Sequence, residues 1–147
     1  MSIEVRRILV PVDFSEHTPR LLEWAVHLAR EHSSEILLLH AYHLPVEFQQ
    51  LEGAYLPPDF WSSVKAGAEA QLEDLALQVR GQGVGVETVA IEGYAASVIV
   101  EEAELRSADL IVIGTHGLSG LKHLLLGSTA ERVVQKAACP VLTVKSS

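Results

Sequence analysis

Positive charge, cysteine and aromatic side chains are all scarce in this chain of 147 residues. Lysine and arginine number 11 against 19 aspartates and glutamates, which gives a formal net charge of −8. Proteins that bind nucleic acid non-specifically usually have a basic balance, so this composition argues against a nucleic-acid partner. It leaves a small anionic ligand open, because local dipoles can outweigh a distant net charge.

Cysteine occurs once, as Cys139, so no disulfide can form within the chain. Long apolar runs are also lacking, since no stretch approaches the ~18 residues that a membrane span needs. The apolar run near the N-terminus is too short for a signal peptide. We therefore expect a cytoplasmic protein with no membrane partner. The length and the 48% of hydrophobic residues suit one domain over residues 1–147.

The hydrophobic pattern alternates between strand and helix periods. Apolar runs predict strands at Arg6–Asp13, Glu35–Tyr42, Val84–Ile91, Asp109–Gly114 and Pro140–Lys145. Apolar stripes predict helices from Thr18, as N-cap, to about Arg30, and over Trp61–Val79, Ser97–Leu105 and Ser128–Ala138. This alternation predicts an α/β, Rossmann-like fold: a five-stranded parallel sheet in the order 3-2-1-4-5, with helices on both faces.

The expected strand order places two unusual segments at one crevice. Ligands of such sheets bind beyond the carboxyl ends of the strands, where the strand order reverses. Here the reversal lies between the first strand, which ends in Pro11–Asp13, and the fourth, which runs into the glycine- and hydroxyl-rich loop Gly114–Thr129. The two segments are about 100 residues apart in sequence and are expected to face each other across one cleft.

The glycines and the helix start of this loop suit a phosphate. Gly114 and Gly117 allow the backbone to approach a ligand closely. Gly127, Ser128 and Thr129 open a helix, whose first N–H groups and positive dipole end attract anions. The alternative is a capping box with no ligand, in which Ser128 caps the helix and the Glu131 side chain bonds back to the backbone N–H of Ser128.

Four side chains add to the candidate site. His116, Lys122 and His123 can donate to phosphates, and Asp13 on the facing edge can accept from ribose hydroxyls or hold a metal ion. Each also has an ordinary explanation, since Lys122 can be a solvated surface charge and Asp13 can cap the turn into the first helix. The histidine spacings do not fit a structural zinc site.

The spacing Gly114-x₂-Gly117-x₉-Gly127-Ser128 is similar to the G-2x-G-9x-G-[S/T] signature of the universal stress proteins, in their ATP-binding branch. The segments "ILVPVDFSE", "LLLHAY", "ADLIVIGTHG" and "ACPVLTV" resemble the same family in order. The resemblance covers about residues 4–145. It implies the five-stranded α/β fold expected above.

The resemblance also implies the ligand, its contacts and an assembly. The implied cofactor is ATP with Mg²⁺, held with its adenine near Val12, Ala41 and Ile113 and its ribose near Asp13. Pro11 is a further expected contact of the cofactor. The implied phosphate contacts are Gly114, Gly117, Gly127, Ser128 and Thr129. A homodimer paired through the last strand, Val141–Val144, is implied as well. The chain departs from the family pattern at Ala41, where a larger aliphatic side chain is common, and at Tyr94-Ala95-Ala96, where a proline is expected.

Three functions remain open at this point. The first is an ATP-binding regulatory protein with an unknown protein partner and at most slow hydrolysis. The second is a catalyst of phosphoryl transfer, which the loop supports weakly because it offers no second carboxylate and no arginine. The third is a nucleotide-independent scaffold that docks partners through the aromatic segment Phe48–Trp61, although this segment can equally pack against its own domain.

Overall fold

The structure, a computed structural model, describes residues 2–43, 58–116 and 126–145. The strands are β1 (Arg7–Pro11), β2 (Glu35–Tyr42), β3 (Val86–Glu92), β4 (Leu110–Gly114) and β5 (Val141–Val144). The helices are α1 (Thr18–His32), α2 (Phe60–Arg80), α3 (Ala95–Leu105) and α4 (Ser128–Lys136). None of these helices combines the length and the hydropathy that a bilayer crossing requires.

The five strands form one sheet in the order β3-β2-β1-β4-β5, which confirms the predicted topology. Every neighbouring pair is parallel. The β2–β3 ladder runs from Ile36 opposite Val86 to Tyr42 opposite Glu92. The β1–β4 ladder is much shorter, since only Ile8 with Leu110 and Leu9 with Ile111 are in register. The strand order reverses at this short ladder.

Both faces of the sheet are covered, which is why the central strands read as continuous apolar runs. One core lies beneath α1 and α2 and takes alternate strand residues such as Ile8, Val10 and Leu38. The other lies beneath α3 and α4 and takes the intervening residues, including Leu9, Leu37 and Ile111. Each of these six side chains is at most 1% exposed. The helices are thus fixed by burial of the apolar stripes that the sequence displays.

Two predicted helix starts are corrected by the structure. The N-cap of α1 is His17, and Thr18 already has helical backbone, with its N–H donating to the carbonyl oxygen of Ser15 at 3.1 Å. This turn closes one residue earlier than the Thr-Pro pattern suggests. The start of α3 lies at Ala95, two residues before the predicted start. Alanine favours a helix, so no proline is needed after Tyr94, the extended N-cap residue.

Candidate functional site

A cavity of about 380 Å³ opens at the carboxyl ends of β1 and β4. It lies where the strand order reverses, as the topology predicts. Most of the candidate site residues line it: Pro11, Val12, Asp13, Ala41, Ile113, Gly114, His116, Gly127, Ser128 and Thr129. The remaining candidates, Gly117, Lys122 and His123, lie outside the described residues.

One wall of the cavity is apolar. Leu39, Ala41 and Ile113 come from the ends of β2 and β4, and Ala95 and Ile99 come from the start of α3. Leu39, Ile99 and Ile113 are each at most 5% exposed. This wall belongs to the core beneath α3 and α4, so the sheet and the helix hold it rigidly. Such a surface suits a flat, weakly polar ring.

The start of α4 forms a second wall and carries no side-chain cap. The N-cap is Gly127, with φ −68° and ψ 160°, and no side chain hydrogen-bonds there. The capping box with Ser128 as cap is therefore wrong, because Ser128 is the first helical residue. The amide N–H groups of Ser128, Thr129 and Ala130 have no acceptor among the described residues. Three such amides at the positive end of a helix are able to bind an anion.

Gly127 lines the cavity, and its N–H is used within the protein. Its N–H donates to the carbonyl oxygen of Thr115 at 2.6 Å. A Cβ atom at position 127 would lie 2.8 Å from the same oxygen, so the backbone would have to shift to admit a side chain. At Gly114, by contrast, a Cβ atom would make an ordinary contact of 3.6 Å with the carbonyl oxygen of His116. Packing among the described residues thus requires glycine at 127 but does not require it at 114.

Asp13 provides the negative side of the cavity. Its Oδ1 accepts the backbone N–H of Ser15 at 3.0 Å, which forms a local turn before α1. Its second carboxylate oxygen has no partner among the described residues. The turn-capping role expected for Asp13 is confirmed, and the second oxygen remains available for a ligand. The described chain contains no cluster of three or more histidine, cysteine or carboxylate side chains that could hold a metal ion.

The turn around Asp13 contains two features that the sequence analysis missed. Phe14 has a φ of 60°, in the left-handed region, which costs a residue other than glycine about 1–3 kcal/mol. His40 on β2 lies beside it, with its Nδ1 2.8 Å from the carbonyl oxygen of Val12. A histidine within the otherwise apolar strand "EILLLHAY" was the available signal.

Two basic residues, one on α1 and one directly after β5, also line the cavity, and the sequence analysis did not single them out. Arg20 and Lys145 both line it, and Arg20 Nε donates to the carbonyl oxygen of Lys145 at 3.2 Å. They lie more than 100 residues apart in sequence, so no local pattern joins them. Asp13 is the only carboxylate among the described residues that line the cavity. The cavity therefore carries local positive charge in a chain of net charge −8.

The aromatic segment Phe48–Trp61 is described only in part. Phe48 and Tyr55 lie outside the described residues. Phe60 and Trp61 pack edge to face, with their ring centroids 5.4 Å apart, and Trp61 also lies 6.1 Å from the ring of Tyr42. These two aromatic side chains pack against their own domain, as the alternative explanation of the segment expected.

Comparison with known proteins gives a family match over nearly the whole chain. The model of "Usp: Universal stress protein family" matches residues 4–145. Universal stress protein YxiE of Bacillus subtilis is 34% identical over 145 residues, a match that covers 95% of this chain and 98% of that protein.

Solved structures share the fold. The structure of MJ0577, a protein known also as a universal stress protein of Methanocaldococcus jannaschii, superposes with a TM-score of 0.86 at 29% identity, covering 99% of both chains. A universal stress protein from Archaeoglobus fulgidus in complex with dAMP superposes with a TM-score of 0.68 at 24% identity, covering 98% of this chain and 100% of that one.

Proposed function

The chain belongs to the universal stress protein family, and we propose that it binds ATP, or a related adenine nucleotide, in the cavity between β1 and β4. One observation carries the proposal. The cavity brings together an apolar wall, a carboxylate with an available oxygen and a helix start with three amides that no described residue uses. These match the base, the sugar and the phosphates of a nucleotide in chemistry. The dAMP complex of a relative with the same fold is consistent with such a ligand.

Each part of the nucleotide has a proposed contact. The adenine takes the apolar wall between Ala41 and Ile113. The ribose lies at Asp13, whose second oxygen accepts from a hydroxyl group. The phosphates take the N–H groups of Ser128 and Thr129, together with their hydroxyl groups. Gly127 acts by closing the loop, because its own N–H is already bonded to Thr115.

Magnesium would accompany the triphosphate. Mg²⁺ is commonly held by one or two carboxylates together with phosphate oxygens and water. Asp13 provides one carboxylate at the cavity, so the residues fit a metal that arrives with the nucleotide and do not form an independent metal site. The ion would supply charge neutralisation to the phosphates.

The proposed role is regulatory, with at most slow hydrolysis. Rapid phosphoryl transfer needs a group that orients the attacking nucleophile and cations that stabilise the transition state. Among the described lining residues, Asp13 is the only carboxylate, and Arg20 is bonded to the backbone at Lys145. We propose that nucleotide occupancy in the cytoplasm changes a surface that a protein partner recognises.

We also propose a homodimer through β5. This strand lies at the sheet edge, and Val141, Leu142 and Thr143 are half-buried. An open edge strand offers unpaired backbone groups to a second strand. The helices that contact β5, α1 and α4, carry exposed Trp24 and Val134. Light scattering on Leu142→Arg and on the unaltered chain tests the dimer, and a monomeric unaltered chain would refute it.

The nucleotide proposal is tested by identifying what the purified protein carries. Mass spectrometry of released small molecules comes first, followed by calorimetric titration of the emptied protein with ATP and magnesium. We expect a micromolar dissociation constant that weakens at least tenfold in Ser128→Pro, which removes the amide donor and the hydroxyl group of Ser128 at a position that tolerates proline in a helix. Glu131→Gln, one turn into α4, is the matched control. Absence of binding at millimolar ATP would refute the proposal.

A further inference from the structure

The turn after β1 has a backbone conformation at Phe14 that its sequence does not explain. The left-handed φ of Phe14 is unfavourable for a large side chain, and glycine is the residue that adopts it without strain. Such a conformation persists only where surrounding contacts hold it. Because Phe14 directly follows Asp13, whatever holds Phe14 also determines the direction of the Asp13 carboxylate.

His40 contacts the residues on both sides of Asp13. Its Nδ1 lies 2.8 Å from the carbonyl oxygen of Val12. Its ring centroid lies 4.5 Å from that of Phe14, with the two planes inclined at 39°. A carbonyl oxygen only accepts hydrogen bonds, so the Nδ1 atom carries the proton in this contact.

The backbone of β2 reinforces the same attachment. The N–H of Val12 donates to the carbonyl oxygen of Leu39 at 2.8 Å, so both backbone polar groups of Val12 are bonded to adjacent residues of β2. On the other side, the Asp13 carboxylate accepts the N–H of Ser15 at 3.0 Å. The carboxylate thus projects from a turn whose two flanks are both fixed by His40.

We propose that His40 is a positioning residue for the nucleotide: it holds Val12 and Phe14 so that the free oxygen of Asp13 faces the ribose. The inference rests on the proposed function, because it needs a sugar at Asp13. His40 acts through Asp13, which makes it distinct from a histidine that only fills the core. A filling role would affect stability and leave the preference for the sugar hydroxyls unchanged.

The experiment compares two ligands, ATP and 2′,3′-dideoxy-ATP, by calorimetric titration. The ratio of their dissociation constants isolates the sugar hydroxyls, since base and phosphates are the same. A hydrogen bond to a charged group predicts a ratio of about tenfold or more in the unaltered protein. His40→Phe keeps a ring against Phe14 and removes the donor, and we expect its ratio to fall to within about twofold of one.

Two matched variants test the mechanism. In His40→Asn the amide nitrogen takes the place of Nδ1, so most of the ratio should remain. In Asp13→Ala the ratio should be lost directly, and adding His40→Phe to it should produce no further loss, because both act through one contact. A ratio that falls further when His40→Phe is added to Asp13→Ala would overturn the inference, because His40 would then act on the sugar without Asp13.

The outcomes separate this inference from the proposed function. No nucleotide binding by the unaltered protein refutes the proposed function itself. Binding with a ratio near one, or a ratio lost in Asp13→Ala but retained in His40→Phe, refutes the positioning role alone. If circular dichroism shows that His40→Phe does not fold, His40→Gln replaces it as the variant without the donor. The glutamine amide lies one bond further from the backbone than the asparagine amide, and so it does not take the place of Nδ1. Equal ratios in folded His40→Gln and His40→Asn would then overturn the inference.

Discussion

The amide nitrogen of Gly127 lies 2.6 Å from the carbonyl oxygen of Thr115, and this bond joins the end of β4 to the start of α4. Eleven intervening residues, 116–126, separate the two groups in the sequence. The bond fixes where the helix axis begins, and therefore where its first amides point. The glycine at 127 thus has a physical role within the protein, which is separate from the role toward a ligand that we propose for Gly114.

Alanine at positions 127 and 114 should separate these roles. Gly127→Ala places its Cβ against the Thr115 carbonyl oxygen, while the φ of −68° suits alanine, so the steric contact alone should destabilise the fold by about 1–3 kcal/mol. Gly114→Ala makes only an ordinary contact and should stay within about 0.5 kcal/mol of the unaltered protein. Urea unfolding measures both.

Nucleotide titration of the same pair completes the comparison. We expect Gly127→Ala to lose both stability and affinity for ATP, and Gly114→Ala to lose affinity alone, because the ligand is proposed to approach the backbone at 114. Full affinity in Gly114→Ala would show that the ligand does not approach that glycine.

Asparagine and alanine at position 13 should separate the effect of Asp13 on stability from its effect on ATP affinity. Asp13→Asn keeps an oxygen for the Ser15 N–H but removes the charge, so the turn and the stability should be retained. Its affinity for ATP should fall about 10–100-fold, the range for losing a hydrogen bond to a charged group. Asp13→Ala should lose the turn as well and unfold at lower urea concentration. Equal ATP affinity in Asp13→Asn and the unaltered chain would remove Asp13 from the site.

A carboxylate pair on β2 and β3 should make stability depend on pH. Burial raises the pKa of Glu35 above its ordinary value of 4.5, and the neighbouring Glu87 raises it further, while Arg7 opposes both. A raised folded-state pKa favours folding below the ordinary value, and this stabilisation is lost as the pH rises through the folded-state pKa. Glu87→Gln should therefore stabilise the protein more at pH 7 than at pH 4. Melting temperatures of both proteins at the two pH values check this, and a constant difference would contradict it.

Cys139 should react slowly with alkylating reagents. Burial raises the pKa of its thiol, and the charge of Asp109 adds to the effect. Since the thiolate is the reactive form, iodoacetamide should modify the folded protein more slowly than the urea-unfolded protein at pH 8, with its half-maximal rate at higher pH. Asp109→Asn should lower that pH slightly. A folded thiol that reacts as fast as the unfolded one would exclude a raised pKa.

Much of the fold was predictable, because strands that are buried on both faces appear in the sequence as continuous apolar runs. The runs around Leu9, Leu37 and Ile111 indicate strands without any knowledge of tertiary contacts. The strand order then follows from handed crossovers, and it places Asp13 opposite the start of α4. The start of α1 was less accurate, because Thr18 favours the cap position by type but occupies the first helical position here. The start of α4 at Ser128 was predicted correctly, and only the capping box there is wrong.

The parts that escaped prediction depend on pairs of residues distant in sequence. His40 and Val12 are 28 residues apart, and Arg20 and Lys145 are 125 apart. Nothing about either member of a pair specifies the other. The left-handed turn at Phe14 was hidden for the same reason, since phenylalanine does not favour that conformation and its support comes from β2.

The ladder between β1 and β4 has only two residue pairs in register, and we call it the seam between the block β3-β2-β1 and the block β4-β5. A nucleotide bound as proposed would contact Asp13 on one block and α4 on the other. It would therefore stabilise the association of the two blocks across the seam. A ligand that binds only the folded state raises the free energy of unfolding by about 2.7 kcal/mol when its concentration is a hundred times its dissociation constant. Amide hydrogen exchange should then slow on both sides of the seam together. The lifetime of the folded chain would therefore increase with the nucleotide concentration around it.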